Sequence, residues 1–169
     1  SLEDLMREVA ALVRVLLAMP ELPVEFVSYR DAMRRHAGLD PLDAPLADLQ
    51  RSARSLGLDA VRAEAAGRDE LLDLLVGAEV GPALGSRTLT FLHRYPASQA
   101  ALARLDPDDP RVALRFELYY RGMELANGYH ELTSGAEQRL RFAADQNHRA
   151  RRALDVNLLD QHLLAALDA

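Results

Sequence analysis

The sequence predicts an α+β fold in which a small helical segment precedes antiparallel strands and their flanking helices. Apolar residues recur at helical spacing from Leu2 to Met19. Apolar and polar residues then alternate from Arg111 to Tyr120, which is the period of a half-buried strand, and helical spacing returns after Ser134. We therefore divide the chain into residues 1–86, the helical segment, and residues 87–169, the strands with C-terminal helices.

Composition restricts the kind of protein that this chain can be. Of its 169 residues, 49% are hydrophobic, which is too many for a disordered chain and enough for one domain or two small sub-domains. No cysteine is present, so disulfides and thiolate chemistry are excluded. The formal charge of −6 argues against non-specific binding of nucleic acid. The sequence has no long apolar run and no signal-peptide pattern, so we expect a cytoplasmic location and no membrane partner.

The first segment is predicted to consist of short helices joined by proline and glycine turns. Pro20 and Pro23 end the first helix. Ser28 is predicted to cap a helix that begins at Tyr29 and ends near Gly38. The remaining features are expected in this order: a turn-rich linker at Leu39–Pro45, helices at Ala47–Leu56 and Asp69–Val76, and a loop at Gly81–Ser86.

The second segment is predicted to open with a strand from Arg87 to Pro96. Arg121–Gly122 can turn the chain between the strand that ends at Tyr120 and a second strand. The other expected features are a helical turn within Ala97–Leu105, a turn at Asp106–Pro110, a helix capped by Ser134 that continues through Ala153, and a final helix from about Leu158 to the end.

The region from Arg111 to Thr133 combines apolar alternation with the densest set of ionisable residues. Asn127, Tyr129 and Glu131 are spaced at i, i+2 and i+4, so an extended backbone places them on one face. An amide, an aromatic ring and a carboxylate on one face could hold a cationic ligand. Another interpretation stays open: Asn127-Gly128 could form a type I′ hairpin turn, with Glu117, Glu124 and Glu131 on a solvated sheet face.

Three other motifs do not support a site. His130-Glu131 has no second histidine one turn later, so it is not a zinc-protease motif. Asp106–Asp109 lacks the glycine and the distal glutamate of a calcium loop, and Gly81–Ser86 lacks the Lys-Ser/Thr of a P-loop. The remaining histidines have no spacing that indicates a metal site.

Several short motifs carry a family resemblance: Tyr95-Pro96-Ala97-Ser98-Gln99-Ala100, Arg115-Phe116-Glu117-Leu118-Tyr119-Tyr120, and the run from Glu124 through Asn127-Gly128-Tyr129-His130-Glu131 to Leu132. Glu137-Gln138, Arg141-Phe142 and Asp160-Gln161 continue it. On these residues the chain resembles the class II lysyl-tRNA synthetase family, and most of all its short paralogues, the elongation factor P–lysine (β-lysine) ligases. The first segment is more weakly similar to the part of these ligases that follows motif 2.

The resemblance implies a partial class II aminoacyl-tRNA synthetase catalytic core with ATP and Mg²⁺ as cofactors. Glu117 and Glu124 match the glutamates that lie by the ATP phosphates and hold Mg²⁺. Asn127, Tyr129 and Glu131 match the pocket for lysine or β-lysine, with Glu131 facing an ammonium group. Since Glu124 and Asn127 are separated by an odd offset, a β-bulge near Ala126–Gly128 is needed to place them on one face.

The implied reaction is adenylation of the amino acid, followed by its transfer to a lysine of elongation factor P. Catalysis would depend on positioning and charge neutralisation, and no residue here is assigned as a general acid, base or nucleophile. The sequence lacks the family's motifs 1, 2 and 3, which supply the dimer contact and the arginines that clamp ATP. We therefore expect an internal fragment, inactive alone, of a parent ligase that is a homodimer.

Two further hypotheses stay open. The chain could come from the catalytic core of a true lysyl-tRNA synthetase, whose acceptor is tRNA-Lys. It could also be a synthetase-like module that binds without catalysis, although the retained Glu117, Glu124, Asn127 and Glu131 argue against loss of the site.

Overall fold

The computed structural model of the chain describes residues 1–156 and 158–167. These residues form two compact units, Ser1–His130 and Glu131–Ala169. The predicted division between residues 86 and 87 falls inside the first unit. Among the described residues, no helix combines the length and the apolar character needed to cross a membrane.

The first unit contains a four-stranded sheet and most of the helices. Its elements are α1 (Leu2–Leu16), β1 (Val24–Ser28), α2 (Tyr29–His36), α3 (Leu46–Ser55), α4 (Ala60–Ala65), α5 (Arg68–Leu75), a π-helical turn (Val76–Val80), α6 (Gly81–Ala83), β2 (Leu89–Pro96), a 3₁₀ turn (Ala97–Gln99), β3 (Val112–Tyr120) and β4 (Met123–Tyr129). The strand order is β1-β2-β3-β4, with β1 parallel to β2 and the other two pairs antiparallel. The predicted α+β class is confirmed.

The two faces of the sheet have different partners. The face that carries Phe91, Phe116 and Leu118, here called the α1 face, packs against Leu2, Met6 and Ala10 of α1. The opposite face carries Arg115, Glu117 and Tyr119 of β3 and is here called the site face. Residues of α2, α3 and α5 cover part of the site face, where Tyr29, Leu49 and Leu72 are almost completely buried. The functional candidates therefore stand beside a helical layer.

Several local predictions are confirmed. The Ser28 hydroxyl accepts a hydrogen bond from the Asp31 amide and caps α2, as predicted. In the second unit, the Ser134 hydroxyl accepts from the Glu137 amide and caps α7 (Gly135–Arg151). Arg121 and Gly122 form the two-residue turn between β3 and β4, with φ angles of +53° and +71°. Positive φ at both positions is the requirement of a type I′ hairpin turn.

Other predictions need correction. The first helix ends at Leu16 and not at Met19, so the chain has already left the helical conformation when it reaches Pro20. The loop predicted at Gly81–Ser86 begins with the helical turn α6. The interpretation of Asn127-Gly128 as a hairpin turn is wrong, since both residues lie inside β4. The last helix, α8 (Gln161–Leu167), starts later than predicted; Asp168 and Ala169, which the prediction included, lie outside the described residues.

The helical prediction for the first segment overlooked one strand. Val24–Ser28 pairs in parallel with Leu89–His93, so the first segment contributes an edge strand to the sheet. The strand has five residues between Pro23 and the capped start of α2, and this length is too short to show a clear period. The short helix α4 was also overlooked.

Candidate functional site

Polar side chains of β3 and β4 meet on the site face. Glu117 lies opposite Asn127 in the antiparallel ladder, and Arg115 lies opposite Tyr129. Directly opposed residues in such a ladder point to the same side of the sheet. The structure therefore places Glu117, Asn127 and Tyr129 on one face of the sheet.

A β-bulge brings Glu124 to the same face. Leu118 pairs with Ala126 while Tyr119 pairs with Glu124, so Leu125 is an extra residue on β4. The bulge offsets the odd spacing between Glu124 and Asn127. It lies just before the predicted position near Ala126–Gly128.

Glu117 is a buried carboxylate with two hydrogen-bond donors. Only 8% of the residue is exposed. The Arg115 guanidinium donates to one carboxylate oxygen at 2.7 Å, and the Tyr119 hydroxyl donates to the other at 2.6 Å. A buried carboxylate is tolerated when it is paired and hydrogen-bonded, so these two donors offset the burial of Glu117 and fix its orientation.

Arg115 is itself held from two further directions. Its guanidinium donates to the Gln99 carbonyl oxygen at 3.0 Å. The guanidinium carbon also lies 4.3 Å from the centre of the Tyr95 ring, a cation–π contact. Gln99 and Tyr95 therefore determine where Arg115, and through it Glu117, can stand.

The site face concentrates negative charge. Partial burial and the nearby Glu117 carboxylate raise the pKa of Glu124. Burial, with the hydrogen bond to Glu117, raises the pKa of Tyr119 and keeps its phenol protonated. Glu117 and Glu124 are thus two carboxylates close enough to interact, and an added cation would relieve their repulsion.

Glu117 and Glu124 fit a magnesium ion that also binds phosphate oxygens. Magnesium is held by one or two carboxylates together with substrate phosphates, and it does not need a closed protein cage. Within residues 1–156 and 158–167, no three histidine or acidic side chains group together in a way that could hold a metal by themselves. Two carboxylates on one face are therefore compatible with the magnesium–ATP role, which stays a prediction.

Tyr129 and Glu131, the other two residues of the predicted amino-acid pocket, belong to different units of the chain. Tyr129 ends β4 and packs against the alanine cluster that contains Ala113. Glu131 comes two residues after the end of β4 and begins the second unit. Its side chain is exposed. The place of Glu131 beside Asn127 stays a prediction.

Two further tyrosines and an aspartate belong to the site face, and sequence reasoning gave them no role. Tyr95 reaches this face because the β2 register shifts between His93 and Tyr95, which leaves Arg94 with a φ of +59°. Tyr29 begins α2 and Asp73 lies on α5, so both come from the helical layer. The place of Tyr95 within the family motif at Tyr95–Ala100 was the one signal in the sequence that could have identified it. The register shift, Tyr29 and Asp73 had no such signal.

The rejected motifs have structural roles. The Asp106 carboxylate is paired with Arg94, and the Asp109 carboxylate accepts two hydrogen bonds from the Arg111 guanidinium at 2.9 Å. This segment is a turn, as predicted. Leu84 and Gly85 accept hydrogen bonds from the amides of Gly122 and Arg121, so the Gly81–Ser86 region supports the β3–β4 turn.

Comparisons with known proteins identify the family of the chain. The model of the family described as tRNA synthetases class II (D, K and N) matches residues 1–168. The elongation factor P–(R)-β-lysine ligase of Klebsiella pneumoniae subsp. pneumoniae is 48% identical over 147 residues, which cover 87% of this chain and 45% of that protein. The ligase of the same name from Salmonella arizonae is 44% identical over 165 residues, covering 98% of this chain and 50% of that protein. The chain thus spans about half the length of the curated relatives it matches.

Proposed function

Because the chain belongs to the class II tRNA synthetase family (D, K and N), as its sequence predicted, we propose that it is part of an ATP-dependent ligase. The ligase adenylates lysine or β-lysine and transfers it to a lysine of elongation factor P. The parent protein is a homodimer in the cytoplasm. The names of the relatives support a ligase that acts on these substrates.

The observation that carries the proposal is the opposition of Glu117 and Asn127 across β3 and β4, with Glu124 added by the bulge. Two carboxylates for a magnesium nucleotide and an amide for the amino acid then stand on one sheet face. When bound, Mg²⁺ would neutralise negative charge on the ATP phosphates. Glu117 and Glu124 would hold it, while Asn127, Tyr129 and Glu131 would bind and orient lysine or β-lysine.

The residues around Glu117 supply preorganisation. Arg115 and Tyr119 hold its carboxylate through hydrogen bonds, so its oxygens need little reorientation when a nucleotide arrives. Asn127 can donate to a substrate carboxylate and accept from an ammonium group. The arrangement therefore favours positioning and charge stabilisation over acid–base chemistry.

A second candidate is the charging of tRNA-Lys, which the family's own description favours. Both reactions share adenylation and differ in the acceptor. Presenting the complete protein with radiolabelled lysine or β-lysine and either acceptor distinguishes them. Label on elongation factor P supports the ligase, and label on tRNA alone supports the synthetase.

The direct test is amino-acid-dependent exchange of pyrophosphate into ATP by the protein of the complete reading frame. Glu117→Gln is expected to lower exchange by about 10²-fold or more, because it removes a preorganised charge. The matched control is Glu8→Gln, which changes an exposed glutamate of α1. Equal exchange in Glu117→Gln and the control would refute the proposed role of Glu117. The 169 residues alone are expected to give no exchange, because they lack the family's motifs 2 and 3.

A further inference from the structure

A small cleft opens on the site face beside Glu117, between β2, β3 and the helical layer. Its volume is about 210 Å³. It is lined by three tyrosines, two carboxylates, one arginine and the π-helical turn, namely Tyr29, Tyr95, Tyr119, Asp73, Glu117, Arg115, Val76 and Gly77. The cleft thus has the size and the polar lining to receive a functional group of a ligand.

The Tyr29 hydroxyl is the least expected feature of this lining. Tyr29 is 1% exposed, and within the described part of the chain its hydroxyl makes no hydrogen bond. A buried hydroxyl without a partner is costly, so native proteins usually satisfy it with protein, water or a ligand. Because Tyr29 lines the cleft, we expect the partner of its hydroxyl to enter through the cleft from outside these 169 residues.

The charges around the cleft favour a cation. Asp73 and Glu117 carry negative charge, and Arg115 is already bound to Glu117. Asp69 stands next to Asp73; burial and then the charge of Asp69 raise the pKa of Asp73. An anion would meet two carboxylates here, whereas a cation with N–H donors would meet carboxylate and phenol oxygens.

Among cations, an alkylammonium fits the lining best. A metal ion held by protein alone would need more hard ligands than the two carboxylates of this lining, and no phosphate is expected here to complete its coordination. An ammonium needs only acceptors for three N–H groups, and aromatic rings add a favourable contact. These 169 residues contain no lysine, so a lysine-type ammonium must come from outside them.

We propose that the Tyr29–Tyr95–Asp73 cleft binds the ammonium group of an alkylamine. This assignment rests on the proposed function: the ammonium group belongs to the side chain of the acceptor lysine and not to the amino-acid substrate. Asn127 lies opposite Glu117 on β4, so the predicted amino-acid pocket is on one side of Glu117. The cleft is on the other side, towards β2 and α5. Glu117 would separate the two amines.

The test is tyrosine ¹³Cζ NMR of the chain with three probes. Nα-acetyl-lysine N-methylamide presents only a side-chain ammonium, its 2-aminoheptanoic analogue replaces the ammonium with a methyl group, and free lysine represents the amino-acid substrate. The first probe is expected to shift the Tyr29 and Tyr95 signals with saturation in the millimolar range. The methyl analogue is expected to give no such shift, and free lysine should shift the Tyr129 signal before that of Tyr29.

Variants assign the binding. Tyr29→Phe is expected to weaken binding of the first probe by about fivefold, and Asp73→Asn by about tenfold. Each fold-change corresponds to the free energy of one lost hydrogen bond. Tyr120→Phe is the matched control, because that hydroxyl contacts the Met19 sulfur and not the cleft. Circular dichroism and a urea midpoint confirm that each variant is folded.

Each outcome decides a separate point. No shift at Tyr29 and Tyr95, or equal shifts with the methyl analogue, overturns the ammonium site and leaves water as the hydroxyl's partner. Free lysine acting first at Tyr29 overturns the assignment to the acceptor. Binding by a parent protein that shows no amino-acid-dependent exchange keeps the ammonium site and refutes the proposed function; exchange without binding does the opposite.

Discussion

At the scale of single residues, the site face depends on how Glu117 is compensated. Its carboxylate is buried, with Arg115 and Tyr119 each donating to one oxygen. Arg115 is fixed in turn by the Tyr95 ring and the Gln99 carbonyl oxygen. Loss of a donor leaves a buried charge under-compensated, and this costs more than the net value of the hydrogen bond itself.

Two tyrosine-to-phenylalanine variants are predicted to differ in their free energy of unfolding for this reason. Tyr119→Phe removes a donor from a buried carboxylate and is expected to lower the free energy of unfolding by about 1.5–3 kcal/mol. Tyr29→Phe removes a hydroxyl that has no partner in the described chain, so the free energy of unfolding should stay the same or rise. Urea unfolding followed by circular dichroism measures both.

Tyr120→Phe is the control for this pair, because its hydroxyl lies on the α1 face at 3.5 Å from the Met19 sulfur. Its effect is expected to stay within about 0.5 kcal/mol, as for other exposed substitutions. A loss at Tyr29 as large as the loss at Tyr119 would show that the Tyr29 hydroxyl has a structural partner.

Asp106 is predicted to contribute to the acid sensitivity of the fold. Burial alone would raise its pKa, but hydrogen bonds from Arg94 and the Asp108 amide outweigh burial and hold the pKa below its usual value. A carboxyl with a depressed folded-state pKa stabilises above its unfolded pKa of about 3.9, and this stability is lost as the pH falls through the folded value.

Urea unfolding at pH 5 and at pH 2.5 therefore tests the role of Asp106. The wild-type chain should lose stability between these values, and Asp106→Asn should be less stable at pH 5 with a smaller further loss at pH 2.5. Asp48→Asn serves as the control, since the Asp48 side chain is 35% exposed beside Arg51, whereas that of Asp106 is 6% exposed. An unchanged acid-side loss in Asp106→Asn would contradict this account.

At the scale of secondary-structure elements, two strand irregularities build the site. The register shift at Arg94 places Tyr95 on the site face, and the extra residue Leu125 places Glu124 on the same face. Gly128 makes a third contribution, because the Phe116 ring lies directly over it. A Cβ at Gly128 would stand 2.6 Å from that ring, so only glycine lets β4 pair this closely with β3.

Gly128→Ala is accordingly predicted to destabilise the first unit by about 1–3 kcal/mol, the usual cost of overpacking. Gly77→Ala is the matched control, since a Cβ there would meet no atom within 4 Å and its φ is not positive. The urea midpoints of both variants measure the difference. A Gly128→Ala chain as stable as Gly77→Ala would show that Phe116 moves aside without cost.

The sequence predicted the elements that have local signals and failed for those that do not. The caps at Ser28 and Ser134 and the turn at Arg121–Gly122 were correct, because each depends on adjacent residues. The edge strand Val24–Ser28 was overlooked, because its identity comes from pairing with β2, more than sixty residues away. The need for a bulge followed from the spacing of Glu124 and Asn127, but its position at Leu125 did not.

At the scale of the whole molecule, the site face of the first unit combines side chains that are far apart in the sequence. Tyr29 of α2, Asp73 of α5, Tyr95 of β2 and Glu117 of β3 line one cleft. No short motif joins these positions. Sequence reasoning reached Glu117 through a family resemblance and gave Tyr29, Asp73 and Tyr95 no role. The chain also spans about half the length of its curated relatives, and the proposed activity therefore belongs to the complete protein.

The central claim is that one sheet face binds both the nucleotide and the amino acid. Its most direct test is the separate titration of lysine or β-lysine and of Mg²⁺–ATP in the exchange reaction of the complete protein. Asn127→Ala should raise the KM for the amino acid about tenfold and leave the KM for ATP unchanged, because one polar contact to the substrate is lost. Glu124→Gln should raise the Mg²⁺ requirement and leave the KM for the amino acid unchanged. If both variants keep wild-type values of both constants, the site face is not the site of the reaction.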